Sequence, residues 1–412
     1  MYLVQMLRIF PIILLGVFYL LSSGRSIAGP PESIQLGPRP MYLVDSMDNS
    51  SLKETLLNCE KGPFKKTEFS IAHRGAPLMF PEHTMESNMA AARMGAGILE
   101  CDVTFTKDKE LVCRHAQNDL HSSTNILETP LASKCVSPFK PATANQPASA
   151  ECRTSELTLE EFKSLRPKMD GANPSAITIQ GYIKATPSWR TELYSANTRL
   201  MTHQESIRLF KSLGTKFTPE LKEASVNMPF NGMTQEDYAQ KLINDYKAEG
   251  IPPGDVFPQS FHLADILYWI RKEPEFGKQA IYLDGRYEEK AFDPENEQSW
   301  QPSMQELRSL GVNYIAPPIW VLLKLDSSGK IVPSAYAIAA SKSNLNIITW
   351  SLERDGPLHQ GGGWYHQSIQ SSINGDGKLY EVLDVLHKQV GVKGVFSDWP
   401  STTTFYANCI GL

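Results

Sequence analysis

Residues 69–115 concentrate the side chains whose types and spacing suit chemistry. His73-Arg74-Gly75 follows a short apolar run, Glu100 and Asp102 stand two apart in a second run, and His115 closes a third. Side chains two apart in a strand point the same way, so Glu100 and Asp102 share a face while Cys101 turns to the other. Two carboxylates aimed at one point suit a hard divalent cation. Histidine holds either charge state near neutral pH, so a pair of imidazoles beside such a cation suits proton transfer on a phosphate ester. Arg74 adds a planar fork for phosphate oxygens, and Lys222, two residues past Glu220, adds a point charge. Gln259, Phe261 and Trp350 are further candidates, as linings of a pocket.

Positioning residues this far apart needs a regular scaffold, and the hydrophobic pattern supplies one. Strands are expected at residues 69–72, 98–106, 216–219, 256–258, 280–283, 314–316, 346–350 and 394–396, with a short returning strand at 111–115. Helices are expected between them, opened by capping boxes at Thr158/Glu161, Thr202/Glu205 and Ser303/Glu306. Residues 116–199 break the rhythm and read as a long insertion. Alternating strands and helices predict a parallel sheet, and about eight strand ends close a (β/α)8 TIM-type barrel. The active site of such a barrel lies at the C-terminal ends of its strands, where the candidate residues fall.

The motifs HRG (73–75), PEHT (81–84), ExD (100–102), TKDxxLV (106–112) and His115 come first, followed by TPELK (218–222), PQSF (258–261) and GVFSD (394–398). In that order they resemble the glycerophosphodiester phosphodiesterases, in particular the secreted or periplasmic type with PEHT, over residues 69–405. The resemblance implies hydrolysis of a small glycerophosphodiester to sn-glycerol 3-phosphate and an alcohol. It implies Glu100, Asp102 and Glu220 as ligands of one divalent ion, Ca²⁺ or Mg²⁺, and His73 and His115 as the acid–base pair. Arg74 and Lys222 would then hold the phosphate, with Gln259, Phe261 and Trp350 lining the pocket. It further implies that the attacking group is the substrate's own glycerol 2-hydroxyl, giving a cyclic phosphate before water enters. One position departs from the family pattern: an aspartate usually follows the second histidine, and here Ala116 stands there, with Asp119 three residues later.

Other readings of the same residues remain open at this level. Glu220 and Lys222 could pair with each other, and lone carboxylates at a barrel mouth could be ordinary salt bridges. Phospholipase D-like or cyclising cleavage of intact phospholipids would want an apolar rim, for which residues 319–323 are a candidate unless they form a buried helix. A non-catalytic ligand-binding barrel is the third reading, and the presence of every motif histidine and carboxylate argues against it.

The chain has 412 residues, 41% hydrophobic and 21% charged, with a net charge of −5 and no basic patch, which argues against a nucleic-acid partner. Residues 1–28 read as a cleaved signal peptide, with Arg8 before the apolar run 9–21 and small residues at Ser26-Ile27-Ala28. That run is short and interrupted by Pro11, so a stable membrane span is not expected. The expected location is secreted, periplasmic or otherwise extracytoplasmic, with residues 29–66 a polar leader against the barrel and 67–412 a single barrel domain. Secretion permits disulfides among the six cysteines. Cys135 and Cys152 flank a Pro- and Ala-rich loop and are the first expected pair, Cys101 and Cys113 flank a turn, and Cys59 and Cys409 would then tie the termini. No spacing suits a zinc site.

Overall fold

The computed structural model describes residues 29–31 and 33–412, so the proposed signal peptide lies outside the described residues. Eight barrel strands are numbered here in chain order: β1 (Thr67–Ala72), β2 (Ala96–Phe105), β3 (Lys216–Leu221), β4 (Gln259–Ser260), β5 (Ile281–Leu283), β6 (Tyr314–Ala316), β7 (Asn346–Leu352) and β8 (Gly394–Ser397). Each pairs in parallel with the next, and β8 pairs back to β1. The sheet is therefore a closed (β/α)8 barrel with no free edge in its ring. The short strand Leu111–Cys113 runs antiparallel to the end of β2 and brings His115 back over the mouth.

Strand alternation separates two cores. Ile71, Ile98, Ile281, Leu283, Ile348 and Phe396 cluster together inside the ring. Leu99, Cys101, Val103 and Phe217 face outward and pack in the larger cluster with the helices. Two residues beyond the inward apolar set come His73, Glu100, Trp350 and Asp398, and two beyond Glu100 comes Asp102. The apolar floor and the polar mouth are thus successive layers of the same alternation.

The three expected capping boxes form, and a fourth joins Thr234 to Asp237 at the start of Gln235–Ala248. Two elements differ from expectation. The strand expected at 256–258 is displaced to Gln259–Ser260: Pro258 has no N–H to give a ladder, and Val256 makes a single bridge to Phe217. The terminal helix Pro400–Ile410 was not signalled by apolar periodicity, because Ser401, Thr402, Thr403 and Thr404 are all fully buried along with its aromatic residues. Residues 319–323 are not an exposed rim, since Ile319, Val321, Leu322 and Leu323 are all buried.

The leader forms two helices, Arg39–Asp45 and Ser51–Asn58, whose Leu43, Val44 and Leu56 are buried in the main core. The Cys59–Cys409 disulfide pins it to the terminal helix. Within the insertion, the antiparallel pair Ser137–Lys140 and Ser149–Glu151 is closed by Cys135–Cys152. The insertion also builds its own apolar cluster around Leu120, Phe162 and Tyr182. Cys101–Cys113 is the third bridge. Among the described residues no helix is long and apolar enough to cross a membrane.

The Cys59–Cys409 bridge spans 350 residues and restrains the unfolded chain more than the two short loops do. Replacing both cysteines with serine is expected to destabilise the protein by about 2–4 kcal/mol in denaturant titration. An unchanged midpoint would show that the leader is held by packing alone.

Candidate active site

The β1 end turns sharply at His73-Arg74-Gly75. Arg74 has φ 58° and Gly75 φ 95°, and a Cβ on Gly75 would sit 2.3 Å from Ser87 Oγ, which accepts from Ala76 N. The turn is held from both sides: Arg74 N donates to Glu100 Oε2 at 2.8 Å, and Arg74 O accepts from His83 N at 2.9 Å. His83 also has positive φ, 55°. Such backbone is costly for a residue with a Cβ, and persists where the surroundings over-determine it.

Register sets the next layer. Asp102 on β2 lies opposite Glu220 on β3, and Glu220 lies opposite Gln259 on β4. These three side chains therefore form a row around the mouth, with Glu100 one layer below. Gln259 Nε2 donates to Glu100 Oε1 at 3.0 Å. Lys222 pairs with Glu220 at 2.6 Å. Asp102 Oδ2 accepts from His83 Nε2 at 2.8 Å, while Asp102 Oδ1 is buried without a hydrogen-bond partner.

A cavity of about 360 Å³ opens at this end of the barrel. Its polar wall is His73, Arg74, Glu100, His115, Glu220, Lys222, Gln259 and Glu288. Its apolar wall includes Phe261 and Trp350, with Tyr287 and Tyr365, which the sequence reading had not singled out. Of the ten residues named from sequence, Asp102 alone does not line it; it lies behind, under His83.

Burial makes the electrostatics strong. The Glu100 carboxyl is pushed well above its usual range by burial and by the neighbouring Asp102 and Glu220. Burial and Asp102 likewise push Glu220 up to about 7 against the pull of Lys222. Burial acts the same way on Asp102, but His83, Lys222 and Arg74 outweigh it and keep that carboxylate ionised. Both imidazoles are pressed toward the neutral form by burial and by Arg74, His73 to about 4 and His115 well below its ordinary value.

His73 Nδ1 is 2.6 Å from Asp398 Oδ1 and 3.0 Å from Ser351 Oγ. A carboxylate can only accept, so the Nδ1 proton stays on the ring and Nε2 is left unprotonated in the neutral imidazole. Asp398 is fully buried, and Arg354, His73 and Arg190 hold it ionised despite that burial. Among the candidate site residues it is one to which the sequence assigned no role. The signal was there in two forms: Asp398 ends the GVFSD segment and stands two residues past the inward Phe396.

His115 has another neighbourhood. Side-chain atoms of Glu82, His115 and Asp119 lie within 4.8 Å of one another. Asp119 also accepts from Ala116 N at 3.2 Å and from Ser123 Oγ. The three-residue offset of the acid is thus absorbed by a turn that folds Asp119 back beside the second histidine. Glu82 bridges Arg74 at 2.9 Å and Arg354 at 3.6 Å, so it belongs to the cation network.

The donors fit a hard cation. Side-chain atoms of His83, Glu100 and Asp102 lie within 4.8 Å of one another, Asp102 Oδ1 has no other partner, and crowding of carboxylates is relieved by positive charge. Glu220 faces the same cavity, engaged by Lys222.

Comparison with known proteins shows the family and the fold. The sequence profile of the glycerophosphoryl diester phosphodiesterase family matches residues 73–402. An extracellular protein of Arthroderma benhamiae is 45% identical over 249 residues, covering 59% of this chain and 100% of that protein. The glycerophosphodiester phosphodiesterase of Haemophilus influenzae is 28% identical over 369 residues, 84% of this chain and 91% of its own. A crystal structure from Silicibacter pomeroyi that carries the family's name shares the barrel, with TM-score 0.55 and 18% identity over 85% of this chain and 96% of its own.

The chain therefore belongs to the glycerophosphoryl diester phosphodiesterase family and is a phosphoric diester hydrolase of that class. Its substrate class is the small glycerophosphodiesters.

Replacing Asp398 by asparagine puts an amide beside His73 Nδ1 that can donate and so favour the other tautomer. Turnover is expected to fall by about 10- to 100-fold with the far-UV CD spectrum unchanged. Full activity in this variant would mean that the His73–Asp398 contact is structural.

Proposed function

We propose that the cavity hydrolyses glycerophosphodiesters to sn-glycerol 3-phosphate and an alcohol by acid–base chemistry of His73 and His115 beside one divalent ion. The observation that carries this is the convergence, from separate strands, of two imidazoles, two cations and two carboxylates on a cavity of about 360 Å³. Arg74 and Lys222 attract the phosphate, and its negative charge offsets the cations that depress both histidines. His73, with its Nδ1 proton anchored on Asp398, takes a proton through Nε2 from the attacking hydroxyl. The attacking group is the glycerol 2-hydroxyl of the substrate, so that a cyclic phosphate precedes entry of water. His115 gives a proton to the leaving alkoxide. Phe261 and Trp350 limit water on the opposite wall, and Gln259 fixes Glu100.

Glu100, Asp102 and Glu220 would hold the ion, Ca²⁺ or Mg²⁺, since all are oxygen donors. When bound, such an ion withdraws charge from phosphoryl oxygens and lowers the cost of the pentacoordinate phosphorus. We further place the protein outside the cytoplasm. The three disulfides and the extracellular Arthroderma benhamiae relative support that reading.

The test is release of glycerol 3-phosphate from a water-soluble glycerophosphodiester. His73→Ala is expected to lower it by about 10²–10⁴-fold without loss of fold. Chelation is expected to remove the activity of the unaltered protein, and Ca²⁺ or Mg²⁺ to restore it. Retained turnover in His73→Ala sinks the acid–base assignment, and indifference to chelator sinks the metal.

A further inference from the structure

The insertion reaches the site at Asp119, beside His115, and again at Arg190. Arg190 Nη2 donates to Asp398 Oδ2 at 3.2 Å, and Arg190 Nη1 donates to Asp170 Oδ1 at 2.6 Å. Arg354, which follows β7, makes the matching pair: Nη1 to Asp398 Oδ2 at 3.2 Å and Nη2 to Asp170 Oδ2 at 2.8 Å. Two carboxylates and two guanidinium groups thus close a ring, half of it from the barrel and half from the insertion. Asp398 spends Oδ2 on this ring and keeps Oδ1 for His73. A carboxylate held at one oxygen by two forks cannot rotate about its terminal bond without breaking both.

The Arg190 side chain is only 3% exposed and Asp398 is fully buried, while Arg354 and Asp170 are partly exposed. The backbone around it is tied down as well: Arg190 N donates to Pro187 O, and Thr191 N donates to Leu78 O in the segment that follows the HRG turn. Buried ion pairs contribute little net stability compared with apolar packing, so an Arg190–Asp398 pair buried at the back of His73 calls for another role.

We propose that Arg190 is a positioning residue for His73, acting through Asp398, and that the 116–199 insertion is part of the catalytic apparatus rather than a peripheral elaboration. This rests on His73 acting in proton transfer, as proposed above. The consequence is specific: loss of Arg190 lets the Asp398 carboxylate swing, misaims His73 Nε2 and lowers the chemical step, while phosphate capture by Arg74 and Lys222 persists.

The test is a double-mutant cycle on kcat and KM with a soluble glycerophosphodiester, using the metal-loaded full-length protein. Arg190→Gln is expected to lower kcat by about tenfold or more with KM within about twofold. Arg190→Lys, which keeps the charge but not the fork, is expected to fall between, and serves if the glutamine variant does not fold. The double variant Arg190→Gln/Asp398→Asn is expected to be no slower than Asp398→Asn alone, because the two act as one unit. Lys134→Ala removes an exposed pair with Glu161 in the same insertion and is expected to leave kcat unchanged. An unchanged kcat in both Arg190 variants, or losses that multiply with Asp398→Asn, overturns the proposal. So does an equal loss in Lys134→Ala, which would make the effect one of general stability. Full activity in Asp398→Asn also overturns the proposal, since Arg190 would have nothing to act through, whereas retained turnover in His73→Ala takes down the reading of His73 itself, a separate result.

Discussion

Charge taken out of water has to be met by charge, and the mouth of this barrel is built around that requirement. Glu100, Asp102, Glu220, Glu82 and Asp398 are all buried there, and so is Arg74. Each acid has a named partner: Glu82 the guanidinium of Arg74, Asp102 the ring of His83, Glu220 the ammonium of Lys222, Asp398 the ring of His73 and two arginines. Glu100 is the exception. It accepts from neutral donors only, Arg74 N and Gln259 Nε2, and lies beside two other acids. Glu100, pushed toward its neutral form, is therefore the acid of this group without an ionic partner.

The same compensation explains the division of labour between the histidines. His73 has a buried carboxylate and a hydroxyl behind it and can turn only one nitrogen to the cavity. His115 stands on the return strand beyond β2, close to Glu82 and Asp119, and is less tightly enclosed. One imidazole is fixed by the end of β8 and the other stands on a loop, and both line the same cavity. The insertion adds a second layer behind the first of these, while the leader and terminal helix, joined by Cys59–Cys409, support the barrel on its outside.

Much of this was legible in the residues. The alternation that places Ile98, Glu100 and Asp102 on one face, the capping boxes at Thr158, Thr202 and Ser303, and the cysteine pairs 101/113 and 135/152 are local or short-range patterns, which left Cys59 and Cys409 to pair across the chain, and the structure contains them all. Where the reading slipped, the cause is physical. Pro258 delays to Gln259 a strand that hydrophobicity alone would have started at Val256. The terminal helix hid because threonines cover a buried face without an apolar stripe. Ala116 looked like a loss, yet a turn returns Asp119 to the neighbourhood of His115.

What the sequence determined by itself was the order of strands and helices, the inward or outward face of each strand residue, and hence which side chains reach the mouth, because these follow from periods of two and 3.6 along the chain. Tertiary structure alone decided who meets whom there. That His83 takes Asp102, that Gln259 takes Glu100, and that Asp398 receives His73 on one oxygen and Arg190 on the other are contacts between residues apart in the chain, set by barrel closure and by the route of the insertion. No local pattern encodes them, since pairing of buried charge depends on distance in space and on the exclusion of water, and both exist only once the ring is shut.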